Sequence, residues 1–192
     1  MHSSFINMSL VAKTHNILDV YAHCKELLEN PNHQVLVFLD IDDTVLSSQL
    51  GVKFVDKHVP KLVDLVYRHN PRNLFFLTAR DSEYKRKTLN HLNRAKLVHT
   101  GKYVQYNVLH SPYHYPDTGG CVATKGETLV KFLTSNGAGL LAEDKVNWVV
   151  FVDDEPDQIE SVHTHLTNAA HLSVQYALYH YTGAELSVSC GC

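Results

Sequence analysis

Hydrophobic positions along the chain fall into short continuous runs, separated by stretches in which they recur at helical spacing. Residues 35–39 (VLVFL), 73–78 (NLFFLT) and 146–152 (VNWVVFV) have the length and the β-branched or aromatic content of fully buried strands. Residues 104–109 predict a further strand, and a last one lies near 172–179. Ile17, Leu18, Tyr21, Leu27 and Leu28 mark a helix over 11–29 that stops at Asn30-Pro31, and Val59, Leu62, Val63, Leu65 and Val66 mark another over 58–69. Asp81 or Ser82 caps a basic helix running to Arg94. Thr124-Lys125-Gly126-Glu127 is a capping box opening a helix to Leu133, and Pro156 sits in the first turn of the next. Buried strands alternating with helices predict an α/β fold: a doubly wound, Rossmann-like parallel sheet with helices on both faces.

No repeat or linker interrupts this alternation. The 192 residues suit one domain, with an N-terminal helix region at 1–33, a core at 34–180 and a tail at 181–192. A net charge of −3 gives no global electrostatic case for nucleic acid or an anionic membrane. No apolar run approaches the ~20 residues of a membrane span, and the first fifteen residues lack the basic start and apolar stretch of a secretory signal. Cys24, Cys121, Cys190 and Cys192 are few, which suits a reducing compartment; the Cys190-Gly191-Cys192 end lacks metal-ligand spacing and reads as an inert tail. The fourteen histidines are scattered and form no metal-ligand pattern.

The run VLVFLDIDDTVL ends in Asp40, Asp42 and Asp43. Carboxylates are seldom fully buried unless paired or metal-bound, so three of them at a strand exit call for a cation or a shared proton. In open parallel sheets ligands bind at the carboxyl ends of the strands, near the point where strand order reverses. The polar residues just past the predicted strands are Asp40/Asp42, Thr78 and Asp153/Asp154, and Lys125 joins them from a helix start. The carboxylates offer oxygen ligands to a hard divalent ion, for which Mg2+ fits best. Thr78, the backbone N–H groups that follow it at Ala79, and Lys125 form an anion pocket beside that ion. Mg2+ next to an anion pocket implies phosphate chemistry.

Four ordered segments carry a resemblance. FLDIDDTVL resembles the first motif of the haloacid dehalogenase (HAD) superfamily of aspartyl phosphatases, FFLTAR its second, Lys125 in ATKGETL its third, and VVFVDDEPDQ its fourth. The resemblance implies Asp40 as nucleophile and metal ligand, and Asp42 as general acid/base with its carbonyl on the metal. It also implies Thr78, Ala79 and Lys125 on the phosphoryl oxygens, and Asp153 and Asp154 on Mg2+. Asp157, one turn on, is an alternative to Asp154. Asp43 is structural, and Lys131 and Lys102 compete with Lys125 for the third position.

Only 38 positions separate Asp40 from Thr78, and 47 separate Thr78 from Lys125, leaving no room for a cap domain of ordinary size. An open site suits a phosphate carried on a protein, so the expected substrate is a phosphoprotein, with phosphotyrosine leading. Tyr113-His114-Tyr115-Pro116 and the Ser47–Phe54 flap are candidates for an aromatic rim. The chain is also similar to the HAD-type phosphatase effectors that intracellular bacteria deliver into host cells. Two rivals stand beside this reading: a small-molecule phosphatase acting on a nucleotide or sugar phosphate, and a non-catalytic, phosphate-dependent receiver module. The basic stripe Lys85, Arg86, Lys87, Arg94, Lys96 reads as a solvated helix face, and Arg80 as a substrate contact or a solvated side chain. Oligomeric state leaves no mark in the sequence.

Overall fold

A computed structural model describes residues 9–48, 52–97, 107–111, 124–135 and 146–183. In chain order the elements are β1 (Ser9–Thr14), α1 (Ile17–Glu29), β2 (Val35–Leu39), α2 (Val59–His69), β3 (Leu74–Thr78), α3 (Lys85–Arg94), β4 (Val108–His110), α4 (Lys125–Ser135), β5 (Trp148–Asp153), α5 (Pro156–Asn168) and β6 (Gln175–Tyr181). The strands form one sheet in the order β1-β6-β5-β2-β3-β4, with every pair parallel. This is the doubly wound parallel sheet that the sequence predicts and the HAD resemblance implies.

Alternation within the buried strands explains the layers. Val35, Val37 and Leu39 of β2 point to one face, where they join α1, α2 and Leu92 of α3; Leu36 and Phe38 point to the other, against Leu129 and Leu133 of α4 and Ile159 and Val162 of α5. Phe38, Phe75 and Phe132 pack as an aromatic cluster on that second face, with ring centroids 4.8–6.0 Å apart. From β2 the chain steps outward through β3 to β4, then crosses to β5 on the other side of β2. The reversal of strand order therefore lies between the carboxyl ends of β2 and β5.

The N-terminal region departs from expectation. Residues 11–14 are strand rather than helix: β1 pairs in parallel with β6 along its full length, from Ser9 opposite Tyr176 to Thr14 opposite Tyr181. Asn16, whose side-chain oxygen accepts from the Leu18 N–H at 3.0 Å, caps α1 and sets its true start. The last strand is likewise displaced, to 175–181. Of the strand expected at 104–109, residues 108 and 109 are strand and 104–106 lie outside the described residues. Tyr113–Pro116, Lys102 and Cys190–Cys192 also lie outside them. Among the described residues, the stretch from Asp40 to α2 is a flap in which Ser47 donates to the Lys53 carbonyl at 2.8 Å and Val55 to that of Val45 at 3.3 Å. It is far smaller than a cap domain. No helix among the described residues is long and apolar enough to cross a membrane.

Candidate active site

Leaving β2, the chain is held to β5 by one more bond, from the Asp40 N–H to the Val152 carbonyl at 2.9 Å. This sets the Asp40 side chain beside Asp153, the last residue of β5. Both carboxylates are buried, and the Lys125 ammonium lies between them, 2.6 Å from Asp40 Oδ1 and 2.7 Å from Asp153 Oδ2. Lys125 reaches this point because α4 begins there. Thr124 Oγ1 accepts from the Glu127 N–H at 3.2 Å, as the capping box predicts. Gly126 then lets the first turn of α4 touch α5: a Cβ at this position would stand 2.3 Å from the Ser161 carbonyl oxygen. Lys131 is exposed farther along α4.

Asp154 completes the acidic group. One oxygen from each of Asp40, Asp153 and Asp154 falls within 4.8 Å of the others. Thr44, wholly buried, donates its hydroxyl to Asp154 Oδ1 at 3.0 Å, and His180 Nε2 donates to the Asp154 carbonyl at 3.0 Å. The Glu155 N–H donates to Asp153 Oδ1 at 3.0 Å. Asp157 is exposed on α5, so Asp154 is the residue that joins the cluster.

Asp43 takes the structural part expected of it. Its φ of 55° turns the chain, a conformation aspartate tolerates better than most residues. Its carboxylate then accepts from the Ser48 N–H at 2.9 Å, pinning the flap.

Asp42 faces elsewhere. Arg80 Nε donates to its Oδ2 at 2.7 Å and Nη2 to its Oδ1 at 2.6 Å, a two-pronged contact on the β3 side of the site. Arg80 is itself held: its N–H donates to Thr78 Oγ1 at 3.2 Å, and His110 Nδ1 donates to its carbonyl at 3.0 Å. Thr78 is buried at the end of β3 with Ala79 exposed just beyond it, and the Thr78 carbonyl accepts from Ser111 N–H at 2.7 Å. The structure thus brings Asp40, Lys125, Asp153 and Asp154 into contact, places Thr78 and Ala79 at the next strand end, and turns Asp42 onto Arg80. Sequence reasoning left Arg80 undecided and did not single out Thr44 or His180. The Thr two residues after Asp42 was a usable signal; for His180 only the register, which sets it opposite Asp153, reveals the contact.

The electrostatics follow from one cation among three carboxylates. Burial and then the Asp153 charge push the Asp40 carboxyl well above the ordinary aspartate range, despite Lys125. Burial also raises Asp153, and burial followed by the Asp153 charge lifts Asp154 to about 6. For Lys125 burial favours the neutral amine, but Asp40 and Asp153 outweigh it and the ammonium is held. A buried group of hard oxygens with surplus negative charge fits a divalent cation such as Mg2+. A cavity of about 260 Å³ lined by Ser9, His163, Leu166, Thr167 and Tyr176 lies at the amino ends of β1 and β6, away from the acidic group, and no carboxylate lines it.

The family described as "Protein of unknown function (DUF2608)" matches residues 49–190. The chain belongs to this family. The DUF2608 match takes in Thr78, Lys125, Asp153 and Asp154 and begins after Asp40 and Asp42. No curated protein matches the chain. Two solved structures of the HAD domain of effector protein Lem4 from Legionella pneumophila are similar to it at 10% identity. One, an inactive mutant, has a TM-score of 0.44 over 79% of this chain and 86% of that chain; the other has 0.45 over 81% and 93%.

Proposed function

We propose that this DUF2608 protein is a Mg2+-dependent phosphomonoester hydrolase that works through an aspartyl-phosphate on Asp40. The observation that carries the reading is the buried Asp40–Lys125–Asp153 contact, joined by Asp154, at the point where strand order reverses. Uncompensated carboxylates in that position are unfavourable for folding, and phosphoryl transfer is the chemistry that uses them.

The carboxylates of Asp40, Asp153 and Asp154 and the carbonyl of Asp42 would hold Mg2+. When bound, that ion supplies neutralising charge to the transferring phosphoryl group. An Asp40 oxygen attacks phosphorus and the bond to the leaving oxygen breaks. Asp42, as the carboxylic acid, gives its proton to that oxygen; as carboxylate it then takes one from the water that attacks the aspartyl-phosphate, releasing phosphate and Asp40. Thr78, the Ala79 N–H and Lys125 bind the phosphoryl oxygens. Arg80 orients Asp42.

The substrate proposed is a phosphoprotein, with phosphotyrosine preferred. The small flap between β2 and α2 supports it, because a site with no large cap domain is open to a residue borne on a protein surface. The effector role, in which the protein acts inside a host cell, rests on the general likeness of the chain to such effectors rather than on any one motif, and extends the same reading. Phosphate release from phosphotyrosine, phosphoserine and phosphothreonine peptides, with and without Mg2+, tests the proposal. Asp40→Asn is expected to abolish turnover. Retained activity in that variant refutes the mechanism, and strong preference for one metabolite over all peptides refutes the substrate.

A further inference from the structure

Charge is distributed unevenly along the chain. The whole carries −3, yet residues 80–96 hold six Lys or Arg against only Asp81 and Glu83, leaving the remainder with a large excess of acids. α3 (KRKTLNHLNR) contains no acidic residue. Lys85, Arg86, Lys87 and Arg94 are exposed, and none pairs with a carboxylate among the described residues. A solvated helix face ordinarily intersperses both signs, because like charges three or four residues apart repel.

The fold sets this helix against the site. The Arg80 guanidinium that grips Asp42 also reaches the buried Thr88 of α3, with Nη1 3.5 Å from Oγ1. One turn on, His91 is made harder to protonate by burial first, then by the charges of Arg80, Lys87 and Arg94, while Asp42 acts in the opposite sense. The cations of α3, Arg80 and Asp42 thus share one local field. Tyr84 stands exposed at the helix start, with the Lys87 ammonium 6.0 Å from its ring centre.

We propose that α3 is a docking surface for acidic residues flanking the phosphorylated residue of the substrate protein. This rests on the phosphatase reading and narrows its substrate class. A ten-residue helix spans ~15 Å, the reach of a few extended peptide residues leading from the phosphate. An acidic peptide is favoured over nucleic acid because the acidic remainder of the chain repels an extended polyanion.

The test compares phosphotyrosine peptides with Glu-rich, Ala/Ser-rich and Lys-rich flanks, using the wild type and a Lys85→Glu/Arg86→Glu/Lys87→Glu variant. Turnover gives kcat and KM, and fluorescence anisotropy gives binding without turnover. The wild type is expected to prefer the Glu-rich peptide about tenfold or more in kcat/KM, mainly through KM. That preference fades as salt shortens the screening length below ~8 Å. The triple variant loses or inverts it while hydrolysing para-nitrophenyl phosphate at the wild-type rate. Equal kcat/KM across the three flanks, or a preference that survives charge reversal, overturns the proposal. So does tighter binding of single-stranded RNA than of the Glu-rich peptide. If no phosphate ester is hydrolysed, the phosphatase reading fails by itself, and anisotropy still decides whether α3 captures acidic peptides.

Discussion

Asp40 and Asp42, two residues apart on the chain, enter ion contacts that differ in almost every physical respect. Lys125 sits between Asp40 and Asp153 with side-chain exposures of 3%, 5% and 0%. Arg80 grips Asp42 with exposures of 19% and 38%. In the first, desolvation dominates: burial is the largest cause pushing up both carboxyls, and removing any partner strands a charge away from water. In the second, solvent stays in reach and either partner can exchange its contact. The buried contact is a fixed electrostatic frame, whereas the open one suits a group that must move protons and release.

Lys125→Met breaks the frame most severely. It leaves Asp40 and Asp153 facing each other without a cation, and the metal-free protein is expected to lose ~3–5 kcal/mol in urea unfolding. Added Mg2+ restores part of this, since a ligand that binds only the folded state stabilises it by mass action. A loss below ~1 kcal/mol, the size of an exposed pair, would erase the distinction between the two contacts.

Gly126→Ala tests the frame without touching a charge. The new methyl would meet the Ser161 carbonyl at 2.3 Å and His165 Nδ1 at 2.7 Å. Because backbone cannot swing aside as a side chain can, α4 must shift from α5, with an expected loss of about 1–3 kcal/mol. Lys125 moves with the helix, so kcat falls too. Thermal unfolding and turnover are measured together, and a stable, fully active variant would show that the close approach does not position Lys125.

The pH dependence of stability probes the rim of the frame. Asp154 titrates at about 6 in the folded protein, above the ~3.9 of an unfolded-chain aspartate. The folded state therefore binds this proton more tightly. The resulting stabilisation is complete below about pH 4 and is lost as pH rises through about 6. Asp40 and Asp153 shift in the same direction. The metal-free protein is expected to lose Tm between about pH 4 and 6, and Asp154→Asn to lose less. An identical slope in the variant would remove Asp154 from the buried group.

These contrasts were unequally legible in the sequence. The central strands were readable because VLVFL, LFFLT and WVVFVD are buried on both faces, and the capping box announced where Lys125 would stand. β1 was not readable: in SLVAKT only Thr14 is buried, Leu10 and Val11 are exposed, and the strand exists through main-chain pairing with β6. Periodicity reports burial, so an exposed edge strand leaves little trace. The Arg80–Asp42 contact joins residues 38 positions apart through the packing of β2 on β3, a register that local pattern does not encode.

That open contact carries the smallest expected change in stability and a separable change in chemistry. Arg80→Ala removes a partly solvated pair, so unfolding free energy should move by no more than about 1 kcal/mol. If Arg80 orients Asp42 for proton delivery, its loss acts where the leaving oxygen needs the proton. Alkyl phosphates should slow about tenfold or more in kcat, within the range general acid–base groups supply, while aryl phosphates, whose oxygens leave unaided, change little. Arg80→Lys keeps the charge but not the two-pronged geometry and should recover only part of the rate. In a double-mutant cycle with Asp42→Asn, residues acting through one another give less than additive losses. Fully additive losses, or equal slowing of alkyl and aryl esters, would mean that Arg80 serves the phosphate directly and that its grip on Asp42 is incidental to the chemistry.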